Sequence, residues 1–299
     1  VNVHKLHGNL PFEGTRYSLV SYVRENIASC GLKYDYKIVI PSYGRSVEIN
    51  KRTLQFLEHH NIPKDRIYIF LVKEELKDYS YLNDLKYNLI VGVKGNSEQR
   101  QFISNYFPEN ECLVCMDDDV SNIYKKIDDK TREPIENFEQ FIIDGFTELE
   151  KRNLNCYGIY PIKNPYFMKN KIVDGLQFIV GAFRMTFNKP SYETCIDYTL
   201  LEDYARSLNY YLNDGSVLRN ESVCVKHNFM TLKGGINLKK DDREVAKLIE
   251  LNKMKVNCDK YLSIVEKKKT SDIRFKKLKR FNPKKEIIAS FWEGTLTEK

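Results

Sequence analysis

Glu111-Cys112-Leu113-Val114-Cys115-Met116-Asp117-Asp118-Asp119-Val120 is the stretch on which the fold turns. An apolar run of strand length goes straight into three carboxylates. Short apolar runs bounded by polar turns read as buried strands. Carboxylates at i and i+2 after such a strand project near one another on the turn. Kept ionised so close together, they are costly unless a cation neutralises them. Mg²⁺ or Mn²⁺, held by one or two carboxylates together with phosphate oxygens, meets that need. Such a metal bridges a diphosphate and stabilises it as a leaving group. Asp117 and Asp119 are the expected metal ligands, with Asp117 and Asp118 on the diphosphate side. An acidic loop or a helix cap would give the same triplet, so its position directly after the strand carries the argument.

Working upstream, Lys37-Ile38-Val39-Ile40 reads as a first strand stopped by Pro41. Ile49, Thr53, Leu54 and Leu57 then recur at helical spacing. Ile67 to Val72 and Asn88 to Val93 are further apolar runs. Between the second of these and the aspartates, Ser97 is read as the cap of a helix carrying Arg100, Phe102, Ile103 and Tyr106. This βαβ alternation predicts a mixed, mainly parallel sheet flanked by helices. Ligands of such sheets gather at the carboxyl ends of the strands. Pro41-Ser42-Tyr43-Gly44-Arg45 and the aspartates both lie at such ends. Tyr43 suits stacking on a base, and Ser42 and Arg45 suit hydrogen bonds or charge pairing.

Downstream, Phe138, Ile142, Phe146 and Leu149 fit a helix. Cys156–Tyr160 and Gln177–Met185 read as strands, with Gly181 and Ala182 leaving room for an acceptor. Leu200 to Leu208 reads as a short helix and Ser216 to Val225 as a strand. Glu244 to Val265 is expected to be helical, with a basic tail beyond it. The division expected is an irregular lead-in over 1–35, the catalytic domain over 36–240, and a basic helical extension over 241–299.

The chain has 299 residues and a net charge of +7. Between Lys267 and Lys285 stand ten Lys or Arg against the single acid Asp272, a surplus of nine. That exceeds the whole net charge, so the rest of the chain is close to neutral at about −2. A patch of this kind suits a polyanion, either nucleic acid or acidic membrane. Lys276, Lys277, Lys279 and Arg280 are the residues expected to meet it. The seven cysteines are odd in number and sit mostly in apolar runs, which predicts reduced thiols and an intracellular protein. Cys112 and Cys115 form C-x-x-C without a second pair, and read as core. The N-terminus lacks a basic-then-apolar leader, and no apolar run is long enough to cross a membrane. Abundant Lys, Asn, Ile and Tyr fit an AT-rich genome, such as a viral one.

The motifs together resemble a known family. A first strand ending in Ile40-Pro41-Ser42-Tyr43-Gly44-Arg45 is followed by Arg52-Thr53-Leu54-Gln55-Phe56-Leu57 and by Asn61-Ile62-Pro63-Lys64-Asp65-Arg66 before the second strand. Asn96-Ser97-Glu98-Gln99-Arg100 and Met116-Asp117-Asp118-Asp119-Val120 complete the set. This resembles the nucleotide half of GT-A (Rossmann-like) glycosyltransferases, and in detail the TET/JBP-associated glycosyltransferases of phages and large DNA viruses. The resemblance covers roughly residues 36 to 235. It implies a nucleoside-diphosphate sugar as donor, UDP-glucose or similar, with Mn²⁺ or Mg²⁺ as cofactor. A hydroxymethylpyrimidine in DNA is the implied acceptor. It also implies that Arg100 approaches the nucleotide, beside a helix N-terminus that favours phosphate on its own physics. Of Glu202 and Asp203, one acts as catalytic base, Asp203 before Glu202. Attack opposite the diphosphate predicts inversion. His227 is the implied third metal ligand, a donor better suited to Mn²⁺, and Lys233 is placed to neutralise the diphosphate. Three other functions fit parts of the sequence: a GT-A enzyme acting on a protein, lipid or glycan, a nucleotidyltransferase, and a non-catalytic DNA-binding module.

Overall fold

The computed structural model describes residues 33–193, 197–227, 240–266 and 271–283. Two compact units divide the chain, Val1–Asp35 and Tyr36–Lys299. The second unit holds the sheet and its covering helices.

Twelve strands are described: β1 Tyr36–Pro41, β2 Ile67–Leu71, β3 Asn88–Val91, β4 Cys112–Met116, β5 Val120–Lys126, β6 Arg132–Pro134, β7 Cys156–Tyr160, β8 Ile172–Val173, β9 Phe183–Phe187, β10 Leu218–His227, β11 Leu262–Glu266 and β12 Ser271–Phe275. The first ten form one sheet in the order β3-β2-β1-β4-β9-β7-β10-β5-β6, with β8 on β10. β1 lies parallel between β2 and β4, and β2 parallel to β3. β9 is antiparallel to both β4 and β7, while β10 is parallel to β7 and antiparallel to β5. Only β9, β5 and β8 therefore run against the common direction, and the sheet is mixed and mainly parallel. β11 and β12 form a separate hairpin.

Helices cover both faces. Ser46–Ile49, Asn50–Leu54 and Gln55–His59 run on as one helix, α1, whose middle turn is π-type. The others are α2 Asn96–Tyr106, α3 Phe138–Arg152, α4 Glu202–Asp214 and α5 Lys240–Cys258. Alternation along the strands decides what each helix meets. Val39, Leu113 and Cys115 pack with Ile103 of α2 and with Phe107 just beyond it. On the opposite face Phe183 of β9 meets Phe138 of α3, which in turn meets Phe56 of α1. α4 joins α2 on its side, and Leu251, Met254 and Cys258 of α5 share one core with Leu208 and Tyr211. No helix among the described residues is long and apolar enough to cross a membrane.

Several sequence expectations are corrected in detail. Pro41 closes β1 rather than lying beyond it, and Ser42 N–H continues the pairing to Phe70 O at 3.0 Å. Ser97 lies inside the first turn of α2, with Gly95 (φ +112°) at the cap. Residues 177–182 are not strand. There Asp117 N–H bonds Ala182 O, and Gly181 N–H is drawn to a side chain. α4 runs on to Asp214, where Gly215 ends it in the left-handed region. The C-terminal helix stops at Cys258 in a turn closed by Tyr261 N–H. Ile264 and Val265 then pair as strand, as β-branched residues favour. Lys276–Arg280 are accordingly not a helical tail but an irregular strap beyond the hairpin.

Candidate active site

The three aspartates leave β4 at the end where β1 also finishes, and each takes a different environment. Thr53, in the π-turn of α1, holds their backbone. Its hydroxyl donates to Asp117 O at 2.8 Å and accepts from Val120 N–H at 3.0 Å. Asp118 is buried and accepts from Ser42 Oγ at 2.7 Å and Arg45 Nη1 at 2.8 Å. Ser42 in turn meets the Tyr79 hydroxyl at 2.8 Å. That hydroxyl also accepts Arg45 N–H at 3.0 Å, so the turn after β1 and the aspartates are one bonded unit. Burial still leaves the Asp118 carboxyl above the usual carboxylate range, despite Arg45.

Asp117 is the partly exposed member, with 31% of its side chain accessible, and takes Arg100 Nη2 at 2.6 Å. Asp119 is the isolated one. It is buried, its Oδ2 lies 3.6 Å from Arg45 Nη1, and its Oδ1 has no hydrogen-bond partner. Burial, with the charges of Asp117 and Asp118 added, pushes its carboxyl up to about 7.

Arg100 reaches past Asp117 to α4. Its Nε lies 3.2 Å from Glu202 Oε1, and Glu202 is paired with Arg206 one turn along. Arg206 Nε donates to Glu193 at 2.6 Å, and Arg184 Nη2 lies 3.3 Å from the same carboxylate. Positive and negative groups thus alternate through a buried chain from β9 to the aspartates. Removing one partner from such a chain strands another charge in low dielectric. Asp203, next to Glu202, accepts Gly181 N–H on Oδ2 at 3.0 Å, and its Oδ1 is enclosed without a partner. Burial raises its carboxyl, opposed chiefly by the charge of Arg100. A Cβ on residue 181 would lie 2.3 Å from Asp203 Oδ1, so this approach requires glycine.

His227 ends β10 opposite Val120, which brings the strand end beside the aspartate turn. Burial lowers its imidazole, while the charges of Asp117 and Asp203 pull it back up. Among the described residues no three His, Cys, Asp or Glu side chains gather as a closed metal cage. Asp117 is turned to Arg100 and Asp118 to Ser42 and Arg45. The unpartnered Asp119 Oδ1, buried beside two further carboxylates, nevertheless fits a divalent cation, and Asp117 and His227 would be the residues to complete its shell.

No protein-family model matches the sequence, and no curated protein matches it. Solved structures of low identity do. Glucosyl-3-phosphoglycerate synthase from Mycobacterium tuberculosis, in complex with Mn²⁺, uridine diphosphate and glucosyl-3-phosphoglycerate, is 8% identical, with a TM-score of 0.47 over 93% of this chain and 98% of that one. 4-Diphosphocytidyl-2C-methyl-D-erythritol synthase from Anaerococcus prevotii is 10% identical, with a TM-score of 0.39 over 73% and 96%. UTP-bound UGPase from Acinetobacter baumannii is 8% identical, with a TM-score of 0.38 over 64% and 87%. The likeness is of general α/β architecture, and the side chains of this chain carry the functional reading.

Of the expected site residues, Ser42, Arg45, Arg100, Asp117, Asp118, Asp119, Glu202 and Asp203 come together, with His227 at the margin. Pro41 contributes backbone. Tyr43 is half-buried, with Lys94 Nζ 5.7 Å from its ring centre. Lys233 lies outside the described residues. Thr53, Tyr79, Arg184, Glu193 and Arg206 are additions of the structure. Thr53 had a sequence signal, a hydroxyl among apolar residues on the buried face of a helix. Arg184 and Glu193 had none, since strand register and a four-residue helix bring them together.

Proposed function

We propose that this chain is a metal-dependent, inverting glycosyltransferase. It moves a hexose from a nucleoside-diphosphate sugar, UDP-linked, to a hydroxyl of a hydroxymethylpyrimidine in DNA. The observation that carries the reading is the pair of partnerless carboxylate oxygens, Asp119 Oδ1 and Asp203 Oδ1, at one end of the sheet. They divide into two chemical tasks. Asp119, with Asp117 and His227, would hold a divalent cation, which when bound would supply charge neutralisation for the leaving diphosphate. Asp203 takes the proton of the acceptor hydroxyl.

Asp203 suits that task better than Glu202. Both oxygens of Glu202 face arginines, Arg100 and Arg206. Asp203 keeps one oxygen without a partner, and burial raises its affinity for a proton. Arg100 is held by Asp117 and Glu202, and is positioned to pair with phosphate oxygens at the N-terminal part of α2. Ser42, Tyr43 and Arg45 line the end of β1, where a base and ribose are received. A base within a duplex would have to be extruded to reach Asp203. The acceptor assignment is drawn from the resemblance to the TET/JBP-associated enzymes and from the basic C-terminal segment.

The test is incubation with nucleotide sugars, Mn²⁺ and DNA bearing hydroxymethylpyrimidines, followed by mass spectrometry of the digested nucleosides. A hexose-sized gain that vanishes with EDTA and in Asp119→Ala is expected. Metal-dependent cleavage of a donor without any gain on DNA would overturn the acceptor and point to another hydroxyl.

A further inference from the structure

The basic segment is built into the fold. Ile273 O accepts the Tyr204 hydroxyl at 2.9 Å, and Lys279 O accepts the Tyr211 hydroxyl at 2.9 Å. Leu176 N–H bonds Leu278 O at 2.9 Å, and Phe281 N–H bonds Gly215 O at 3.0 Å. Two glycines in the left-handed region make room for it. A Cβ on Gly175 would meet Leu278 O at 2.4 Å, and one on Gly215 would meet Phe281 O at 1.9 Å. The backbone is therefore fixed, yet Arg274, Lys276, Lys277, Lys279 and Arg280 are all exposed. Among the described residues none of the five is ion-paired with a carboxylate. Lys276 Nζ and Arg280 Nη2 instead donate to the backbone oxygens of Asp259 and Arg152.

Direction matters as much as charge. Tyr204 stands beside Asp203, and Gly215 follows the far end of α4. The strap thus follows α4 from the candidate active site toward the opposite end of the sheet. Its far end opens on a groove of about 590 Å³ lined by Asn153, Asn155, Asn213 and Asn282 together with Asp214 and Arg280. A helix of 13 residues spans ~20 Å at ~1.5 Å per residue, room for about six phosphates of one strand.

The geometry points to a fixed cationic track for the sugar-phosphate backbone of a nucleic acid, laid along α4, the helix whose first turn carries Asp203. An acidic membrane is the less favoured partner. A membrane-binding face carries apolar side chains for insertion, whereas Phe281 is the one exposed large apolar side chain between residues 272 and 283. That the track serves the acceptor rests on the transferase reading, whereas the binding itself does not.

The test is fluorescence anisotropy over a salt series, using the full chain and a labelled oligonucleotide of about 20 nucleotides, single-stranded and duplex. Five phosphate contacts predict a slope of log affinity on log salt near −3.5 for a single strand, at ~0.7 per cation. Lys276→Gln with Lys277→Gln and Lys279→Gln is expected to lower affinity at least tenfold and flatten the slope by about 2. The matching triple Arg variant should bind like the unaltered chain. Unchanged affinity in the Gln variant overturns the track. Loss in both variants overturns it too, because fold rather than charge would then set affinity. Binding to phosphatidylserine–phosphatidylcholine vesicles without oligonucleotide binding overturns the choice of partner. Donor cleavage by the unaltered chain, read in parallel, separates the two readings. Its absence with oligonucleotide binding retained supports the track and sinks the transferase, and its presence without oligonucleotide binding sinks the track.

Discussion

Asp119 holds the sharpest prediction at the scale of one residue. Its carboxyl stands at about 7 in the folded chain, against 3.8 for the free side chain. Between those values the folded state keeps a proton that the unfolded state has lost. Raising pH through that window therefore favours unfolding, by at most ~1.4 kcal/mol per pH unit, and the effect levels off above about 7. In EDTA, denaturant titrations at pH 5 and pH 8 should show this loss, and Asp119→Asn should reduce it. An identical pH dependence in the variant would deny the raised proton affinity. Asp203→Asn makes a separate claim. Turnover should fall 10²- to 10⁴-fold, as for loss of a general base, with donor affinity kept. An equal fall in Glu202→Gln at unchanged thermal stability would reverse the assignment between the two. The sequence placed the carboxylates at the strand end, because an apolar run into an acidic turn is a local signal. Which oxygen is left without a partner depends on Ser42, Arg45 and Arg100, which arrive from other strands and helices.

At the scale of elements, the site depends on close approaches that only glycine permits. Gly181 brings its N–H to Asp203 where a methyl group would collide with the carboxylate. Gly181→Ala should reduce turnover while leaving the melting temperature nearly unchanged, because the displaced group is a side chain at the site. Gly215→Ala should act differently. Its φ of +78° and its approach to the Phe281 carbonyl both oppose a side chain. A loss of about 1–3 kcal/mol in stability is expected by chemical denaturation, together with weaker oligonucleotide binding as the strap lifts. Periodicity made β1, β2, β4, α2 and α3 legible, since each buries one patterned face. It failed from Gln177 to Ala182, where apolar residues sit in loop backbone whose hydrogen bonds go to Asp203 and Asp117. It failed again beyond Cys258, because the helical pattern of α5 runs into β-branched residues without a proline to mark the break.

Over the whole molecule, α4 is the part that binds the rest together. Its first turn carries Glu202 and Asp203, its buried Arg206 links Glu193 to the aspartates, and its outer side receives α5, the hairpin and the strap. The mainly parallel sheet was predictable from the βαβ alternation. Strand order was not, because the chain passes from β4 in the middle of the sheet to β5 near its edge, and the spaces between are filled later by β7, β9 and β10. The same connection sets the aspartates at the crossing, where strands from both halves of the sheet end. On the proposed function, this crossing binds a metal and a nucleoside-diphosphate sugar for transfer. Chromatography of the products after incubation with nucleotide sugars and Mn²⁺ tests it most directly. Release of the nucleoside diphosphate from one donor, abolished by EDTA and by Asp119→Ala, is expected. Failure to bind or cleave any nucleotide sugar, or release of pyrophosphate from a nucleoside triphosphate and a sugar phosphate, would contradict it.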